Sequence, residues 1–307
     1  MQDLPDELIL KIVSYSKEKD LISCGQVSKR IRNISQDSSL WVTVNLEKKI
    51  VKTELLEHIL NKECKSLNLN YSTILGSLSL DNQSQLRELN LEDCSTNVRV
   101  VEEILASCCS LQKLVMPDSS MTPKMAASIC QNRKTLQILD LYQCDGDQPG
   151  YLQIIKCCQE LKELDLQNGF CDKGLSDECL EFIAKHVSQN VEILDLSDLC
   201  ISDNHVKVLL SRCKKIKTLR LCATMITDAS LKIIRQKLNI TLNELSLRIN
   251  TNEHEDFWSF TGLLELKYMP RLKILNLDDE NKEEDEKFKN LRKQLPHLTI
   301  NQRYRDW

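Results

Sequence analysis

Apolar residues along this chain recur in one short signature, Leu-x-x-Leu-x-Leu with occasional Val or Ile, at intervals of 25 to 30 residues. It reads "LRELNLEDC" from Leu86, "LQKLVMPDS" from Leu111, "LQILDLYQC" from Leu136 and "LKELDLQNG" from Leu161. Then come "VEILDLSDL" from Val191, "IKTLRLCAT" from Ile216, "LNELSLRIN" from Leu242 and "LKILNLDDE" from Leu272. The Leu-x-Leu alternation predicts a short strand with both leucines facing inward. Between copies, "VVEEILASC" and "DECLEFIAKHV" space apolar residues by three and four, which predicts helices packed on the strands. "MTPKMAASI", "LSDECLEFI", "ISDNHVKVL" and "ITDASLKII" put Ser or Thr at the turn into each helix, where an N-cap belongs. "WVTVNL" and "KSLNLN" extend the strands toward the N-terminus, and "KFKNLRKQLPHLTINQ" adds a helix and a strand at Leu298 and Ile300, giving about eleven strands.

One unit buries about three large aliphatic residues, at roughly 1.5–3 kcal/mol gross each, and chain entropy cancels most of that gain. Units must therefore stack, and a helical side longer than the strand side bends the stack. This is leucine-rich-repeat spacing. The expected fold class is an α/β leucine-rich-repeat horseshoe over residues 41–307, about ten repeats with a C-terminal cap. A polar residue at Leu139 or Leu194 is expected to break it locally.

Residues 1–40 do not fit the repeat. In "MQDLPDELILKIV", Asp3 precedes Leu4-Pro5, proline suits a first helical turn, and Asp6 and Glu7 suit the positive end of the helix dipole. Leu4, Leu8 and Ile12 recur every four residues with Ile9 and Val13 beside them, a wide apolar stripe. "KDLISCGQVS" and "KRIRNI" supply two more short helices. Three such helices are marginal alone, so the stripe needs a second surface: the first repeat, reached through Trp41, or another protein.

Composition narrows the classes. A net charge of −4, with 41% hydrophobic and 28% charged residues, gives no bulk attraction to nucleic acid or anionic lipid. Asp3, Asp6 and Glu7 stand where a secretory signal carries basic residues, and no apolar run reaches membrane-spanning length, so a nuclear or cytoplasmic protein is expected. Of 14 cysteines, Cys108, Cys158 and Cys213 each precede a repeat motif by three residues, which reads as small buried hydrophobes rather than a disulfide framework. His58, His186, His205, His254 and His297 are scattered without ligand spacing, and no phosphate-binding glycine loop, His-Glu-x-x-His or nucleophile elbow occurs. No metal, cofactor or catalytic residue is expected. "DDENKEEDE", with seven acids in nine residues, reads as a solvated loop.

On the strand face, residues between and beside the leucines are Asp140, Tyr142, Glu163, Asp165, Asp195, Arg220, Arg248, Asn276 and Asp278. They predict an acidic ladder ending at two arginines, Arg220 and Arg248, suited to a phosphate or carboxylate. The plainer reading is that Leu-Asp-Leu is ordinary repeat usage and the arginines neutralise Asp195 and its neighbours.

"LPDELILKIVSY" followed by "KDLISCGQVSKRIRNISQDSSLW" resembles an F-box, and F-boxes are commonly followed by leucine-rich repeats. The chain thus resembles the F-box/leucine-rich-repeat family, and "SSLWVTVNLEKK", "HVSQNVEILDLSD" and "LLELKYMPRLKILNL" with "LRKQLPHLTIN" resemble its S-phase kinase-associated type. That resemblance implies a non-catalytic substrate receptor of an SCF (adaptor–cullin–F-box) ubiquitin ligase. Leu4, Pro5, Leu8, Ile12, Leu21 and Val27 would face an adaptor of the S-phase kinase-associated type, with cullin and RING subunit held indirectly. The repeats would bind a protein substrate, a phosphorylated cell-cycle protein in that branch, with Asp140, Tyr142, Asp165, Asp195, Arg220 and Arg248 as candidate contacts. A cyclin-kinase-subunit accessory protein is a further implied partner, although no segment here matches the C-terminal tail that helps form its site. Two F-box positions depart from the pattern: Ser16 replaces an apolar residue and Ile31 an aromatic one. The alternative is a repeat scaffold with a degenerate F-box and no role in ubiquitination.

Overall fold

The computed structural model describes residues 4–16, 18–24, 26–80, 82–169, 174–248, 258–278 and 286–303. Asp3, His254 and the acidic segment from Asp279 to Asp285 lie outside them. The chain divides into two compact units, Met1–Met116 and Pro117–Trp307.

The first unit opens with three short helices, α1 (Asp6–Val13), α2 (Glu18–Cys24) and α3 (Lys29–Ser35). Ser28 caps α3 by accepting the Ile31 N–H, and Arg30 Nε donates to Asp6 Oδ1 at 2.7 Å, tying α3 to the start of α1. After a 3-10 turn at Ser38–Trp41, the unit alternates strands and helices: β1 (Thr43–Asn45), α4 (Thr53–Leu60), β2 (Ser66–Asn68), β3 (Glu88–Asn90), α5 (Val98–Ser107) and β4 (Lys113–Val115). These four strands are parallel, in the register Val44↔Leu67↔Leu89↔Leu114. Trp41 joins the helical start to the repeats. Its indole N–H donates to the Ser35 carbonyl at 2.9 Å, and its ring meets His58 of α4 edge-on at 5.5 Å.

The second unit repeats the pattern with α6 (Pro123–Gln131), β5 (Ile138–Asp140), α7 (Gln148–Cys157), β6 (Glu163–Asp165), α8 (Asp177–His186), β7 (Ile193–Asp195) and α9 (Asp203–Arg212). It continues with β8 (Thr218–Leu221), α10 (Asp228–Leu238), β9 (Glu244–Arg248), α11 (Phe260–Leu263), β10 (Ile274–Asp278), α12 (Glu286–Gln294) and β11 (Thr299–Arg303). Register runs Leu139↔Leu164↔Leu194↔Leu219↔Leu245↔Leu275↔Ile300, a file of buried aliphatics. Cys108, Cys158 and Cys213 are wholly buried in the apolar interior. These are leucine-rich repeats, a parallel strand followed by a helix in most of them; between β2 and β3 the described residues form no helix.

Two devices hold each repeat. The predicted caps form: Thr122, Ser176 and Thr227 accept backbone N–H groups at the starts of α6, α8 and α10, and Ser202 makes a reciprocal capping box with His205. The aspartate beside the cap does more than complement the dipole. Asp203 accepts the Thr227 N–H and hydroxyl at 2.9 and 2.6 Å and the Ser230 N–H at 3.1 Å, so one helix start is bonded to the next. Asp228 does the same to the N–H and hydroxyl of Ser259, at 2.6 and 2.8 Å. The second device, among the described residues, is a left-handed turn residue seven positions after the start of the motif, at Lys48, Tyr71, Asp93, Asp118, Gln143, Asn168, Asp198 and Ala223, with φ between 48° and 59°.

Candidate functional site

The apolar stripe of α1 splits into two faces. Ile9 and Val13 are buried toward the other helices, while Leu8 and Ile12 are 50% and 48% exposed. Burying one flank and leaving the other open is what a helix sandwiched between its own domain and a partner presents. Pro5 is exposed where its carbonyl accepts the Leu8 and Ile9 N–H groups, and half-buried Leu4 gives its carbonyl to Arg30 Nη2. Val27, after α2, is 76% exposed.

One predicted adaptor-facing residue is corrected. Leu21 is 3% exposed and lines a cleft of about 400 Å³ with Arg32, Trp41 and His58, so it serves the interior of the unit and offers no surface to a partner. Tyr15, 82% exposed, is an apolar position that the reading from sequence missed. It lies in the turn just after α1, and its spacing of three from Ile12 and seven from Leu8 was the available signal. Ser16 and Ile31, the two departures from the F-box pattern, are half-buried.

On the strand face, the predicted acidic ladder forms, and the backbone explains it. Asp140, Asp165 and Asp195 stand side by side in register. Each carboxylate accepts the N–H two residues on, from Tyr142 at 3.0 Å, Gln167 at 2.8 Å and Ser197 at 2.9 Å. Asn45, Asn68 and Asn90 do the same with Glu47, Asn70 and Glu92. This Asx turn satisfies the first donor of the bend that ends the strand. At Val115 the acceptor is missing, and two residues on stands Pro117, which has no N–H to satisfy. At Arg220 the acceptor is missing too, and the Cys222 N–H is taken by Ser197 Oγ at 3.1 Å from the preceding repeat.

The carboxylates exceed what the turn needs. Burial, followed by the charge of Asp195, pushes Asp165 up to about 7. Asp195 is also raised by burial, opposed by its bonds from Ser197 and by Arg220. At 4% exposed, Asp195 is corrected from a substrate contact to a support beneath Arg220, whose Nη1 lies 3.6 Å from Asp195 Oδ2. The two arginines do not share a column: Ser246 sits in register beside Arg220, while Arg248 is two residues further along β9, opposite Asp278. The expected facing pair is therefore absent, because Arg220 stands between the two strand leucines of its motif while Arg248 follows the second leucine of its own. Asp140, Tyr142, Asp165, Arg220 and Arg248 are all half-buried, each with part of its surface open. Beyond Ser246 the face becomes an amide chain, Asn276 Nδ2 donating to Ser246 Oγ at 3.1 Å and Asn301 Nδ2 to Asn276 Oδ1 at 2.9 Å.

Among known proteins, the SKP2 LRR domain family matches residues 38–305 and the F-box-like family matches residues 1–47. A curated relative, "Antagonist of mitotic exit network protein 1" of Candida glabrata, is 25% identical over 291 residues, covering 91% of this chain and 50% of its own length. The chain thus spans about half the length of that relative. The fold is also similar to a chain in the crystal structure of the yeast Rad7 and Elc1 complex, with a TM-score of 0.54 at 15% identity, covering 87% of this chain and 71% of that one. With an F-box-like start and a repeat match over most of its length, the chain belongs to the F-box proteins that carry an SKP2-type leucine-rich-repeat domain.

Proposed function

We propose that this protein is the substrate-recognition subunit of an SCF (adaptor–cullin–F-box) ubiquitin ligase. The observation that carries the reading is the open flank of α1: Leu8 and Ile12, with Pro5, Tyr15 and Val27, leave apolar surface exposed beside a buried flank that already satisfies the unit's own core. An adaptor of the S-phase kinase-associated type would cover that flank, linking to cullin and RING subunit. The strand face of the second unit would hold the substrate through Asp140, Tyr142, Asp165, Arg220 and Arg248. The protein then does no bond chemistry. It raises the effective concentration of a substrate lysine near the conjugating enzyme.

That Rad7 occurs in a complex with Elc1 supports a fold of this kind working beside a second protein. The name of the Candida glabrata relative supports a substrate among cell-cycle regulators. Whether a cyclin-kinase-subunit protein joins the site is tested by adding it to the same binding assay.

Affinity capture of the full chain, probed for adaptor and cullin, is the test. Leu8→Asp and Ile12→Asp should each lower adaptor binding by at least about tenfold while far-UV circular dichroism stays unchanged, since both side chains are half-exposed in the free protein. Ile9→Asp, at a buried position, should unfold the helical segment. If Leu8→Asp leaves capture intact, or the folded wild type captures no adaptor, the protein is a repeat scaffold without a ligase role.

A further inference from the structure

Most buried cysteines here touch oxygen. Cys108 lies 3.4 Å from Ser84 Oγ, Cys213 is 3.5 Å from the Ser188 carbonyl and Cys64 is 3.5 Å from the Ser66 carbonyl. In the second unit another arrangement occurs. Cys130, next to last in α6, and Cys157, the last residue of α7, bring their sulfurs to 2.7 Å across two packed helices. Cys158 Sγ is 3.6 Å from Cys157 Sγ and wholly buried. Of the three, Cys157 keeps a partly open surface, and Cys130 is 8% exposed. All thirteen described cysteines are free thiols.

The sulfurs are poised unequally. Hydrogen bonding from Cys130, then from Cys158, and the nearby Arg133 guanidinium draw the Cys157 thiol down. The contact with Cys157, with burial behind it, raises Cys130, and the contacts with Cys130 and Cys157 raise Cys158. A disulfide needs about 2.05 Å between sulfurs, so the pair has only roughly 0.7 Å left to close. Both residues sit at the ends of their helices, where small backbone adjustments disturb few hydrogen bonds.

We propose that Cys157 is a peroxide-reactive thiol and that Cys130 resolves it, forming a reversible disulfide that staples α6 to α7. The Cys157 thiolate attacks one oxygen of hydrogen peroxide. The O–O bond breaks, hydroxide leaves and takes a proton to become water, and the sulfur is left as a sulfenic acid. The Cys130 sulfur then attacks that sulfur as its own proton passes to the departing oxygen. The S–S bond forms, the S–O bond breaks and a second water leaves. Two thiols and one peroxide thus give one disulfide and two waters, and a dithiol reductant reverses the change.

The test treats the purified, reduced full chain with stoichiometric hydrogen peroxide, alkylates the remaining thiols and maps peptides by mass. A cross-linked peptide pair joining Cys130 and Cys157 is expected, lost on adding dithiothreitol. Cys157 should be consumed at least about tenfold faster than exposed Cys200 in the same chain. In Cys130→Ser, a dimedone adduct should accumulate at Cys157 with no disulfide. The wild-type map decides the matter even if that variant folds poorly. Equal rates at Cys157 and Cys200, or a disulfide joining Cys157 to Cys158, overturn the proposal.

Discussion

Asn45, Asn68 and Asn90 in the first unit and Asp140, Asp165 and Asp195 in the second occupy the same repeat position and make the same bond to the N–H two residues on. The difference teaches that the turn asks only for an acceptor oxygen. The asparagines stack amide to amide, Asn68 Nδ2 donating to Asn45 Oδ1 at 3.2 Å, and carry no charge into a half-buried column. The aspartates place like charges in neighbouring strands, about 4.8 Å apart, and Asp165 answers by holding its proton up to about 7. The excess charge in the second unit therefore costs stability, and a binding role would offset that cost.

Where shape alone matters, the two columns should respond alike. Leu67→Asp and Leu194→Asp each bury a carboxylate in a file of aliphatics and should destabilise their own unit by about 4 kcal/mol or more, read as early melting or proteolysis of that unit. Where charge matters, they should diverge. Asp165 binds a proton in the folded state, up to about 7, that it has already lost unfolded, near its ordinary 3.8. Its contribution to stability is thus fully present below about pH 4 and falls as pH rises through 7. Asp165→Asn keeps the acceptor and removes the titration. It should be more stable than wild type by up to about 4 kcal/mol at pH 8 and indistinguishable below pH 4, measured by urea unfolding across pH. The mirror change, Asn68→Asp, should destabilise by about 1 kcal/mol at neutral pH. If Asp165→Asn also weakens capture of a substrate, the carboxylate is a binding group as well as a turn.

Smaller effects separate the turn from the charge. Asn90→Ala and Asp140→Ala each strand one N–H and should cost about 1 kcal/mol regardless of column. Smallest is Ala223→Gly, which relaxes an alanine held at φ 50° and should stabilise by about 0.5 kcal/mol. Asp198→Gly, from a residue type that tolerates this conformation better, should gain less.

Much of the fold was legible because a period of two and a period of 3.6 leave different marks. The strands at Leu139, Leu194 and Ile300, the caps at Thr122, Ser176, Ser202 and Thr227, and the buried Cys108, Cys158 and Cys213 all stand where their spacing indicates. Other features left no mark. Leu8 and Ile9 are both apolar, so four-residue spacing cannot say which flank faces inward, and Leu21 is hidden by the fold of a neighbouring helix rather than by its own pattern. Lys48, Tyr71, Gln143 and Ala223 adopt the left-handed conformation without the glycine or asparagine that would have announced it. The offset between Arg220 and Arg248, by contrast, was legible: aligning the leucines of the two motifs puts Ser246, not Arg248, beside Arg220.

The bond from Asp203 to Thr227 and Ser230, and from Asp228 to Ser259, makes the start of α10 both plug and socket. The Thr227-Asp228 pair carries the hydroxyl that fits the preceding repeat and the carboxylate that grips the following one. Copying the segment from Thr227 to Trp258 in tandem would therefore set Asp228 against a Thr227 hydroxyl, the pairing that Asp203 already makes. An array so built can lengthen by duplication without first evolving a new interface.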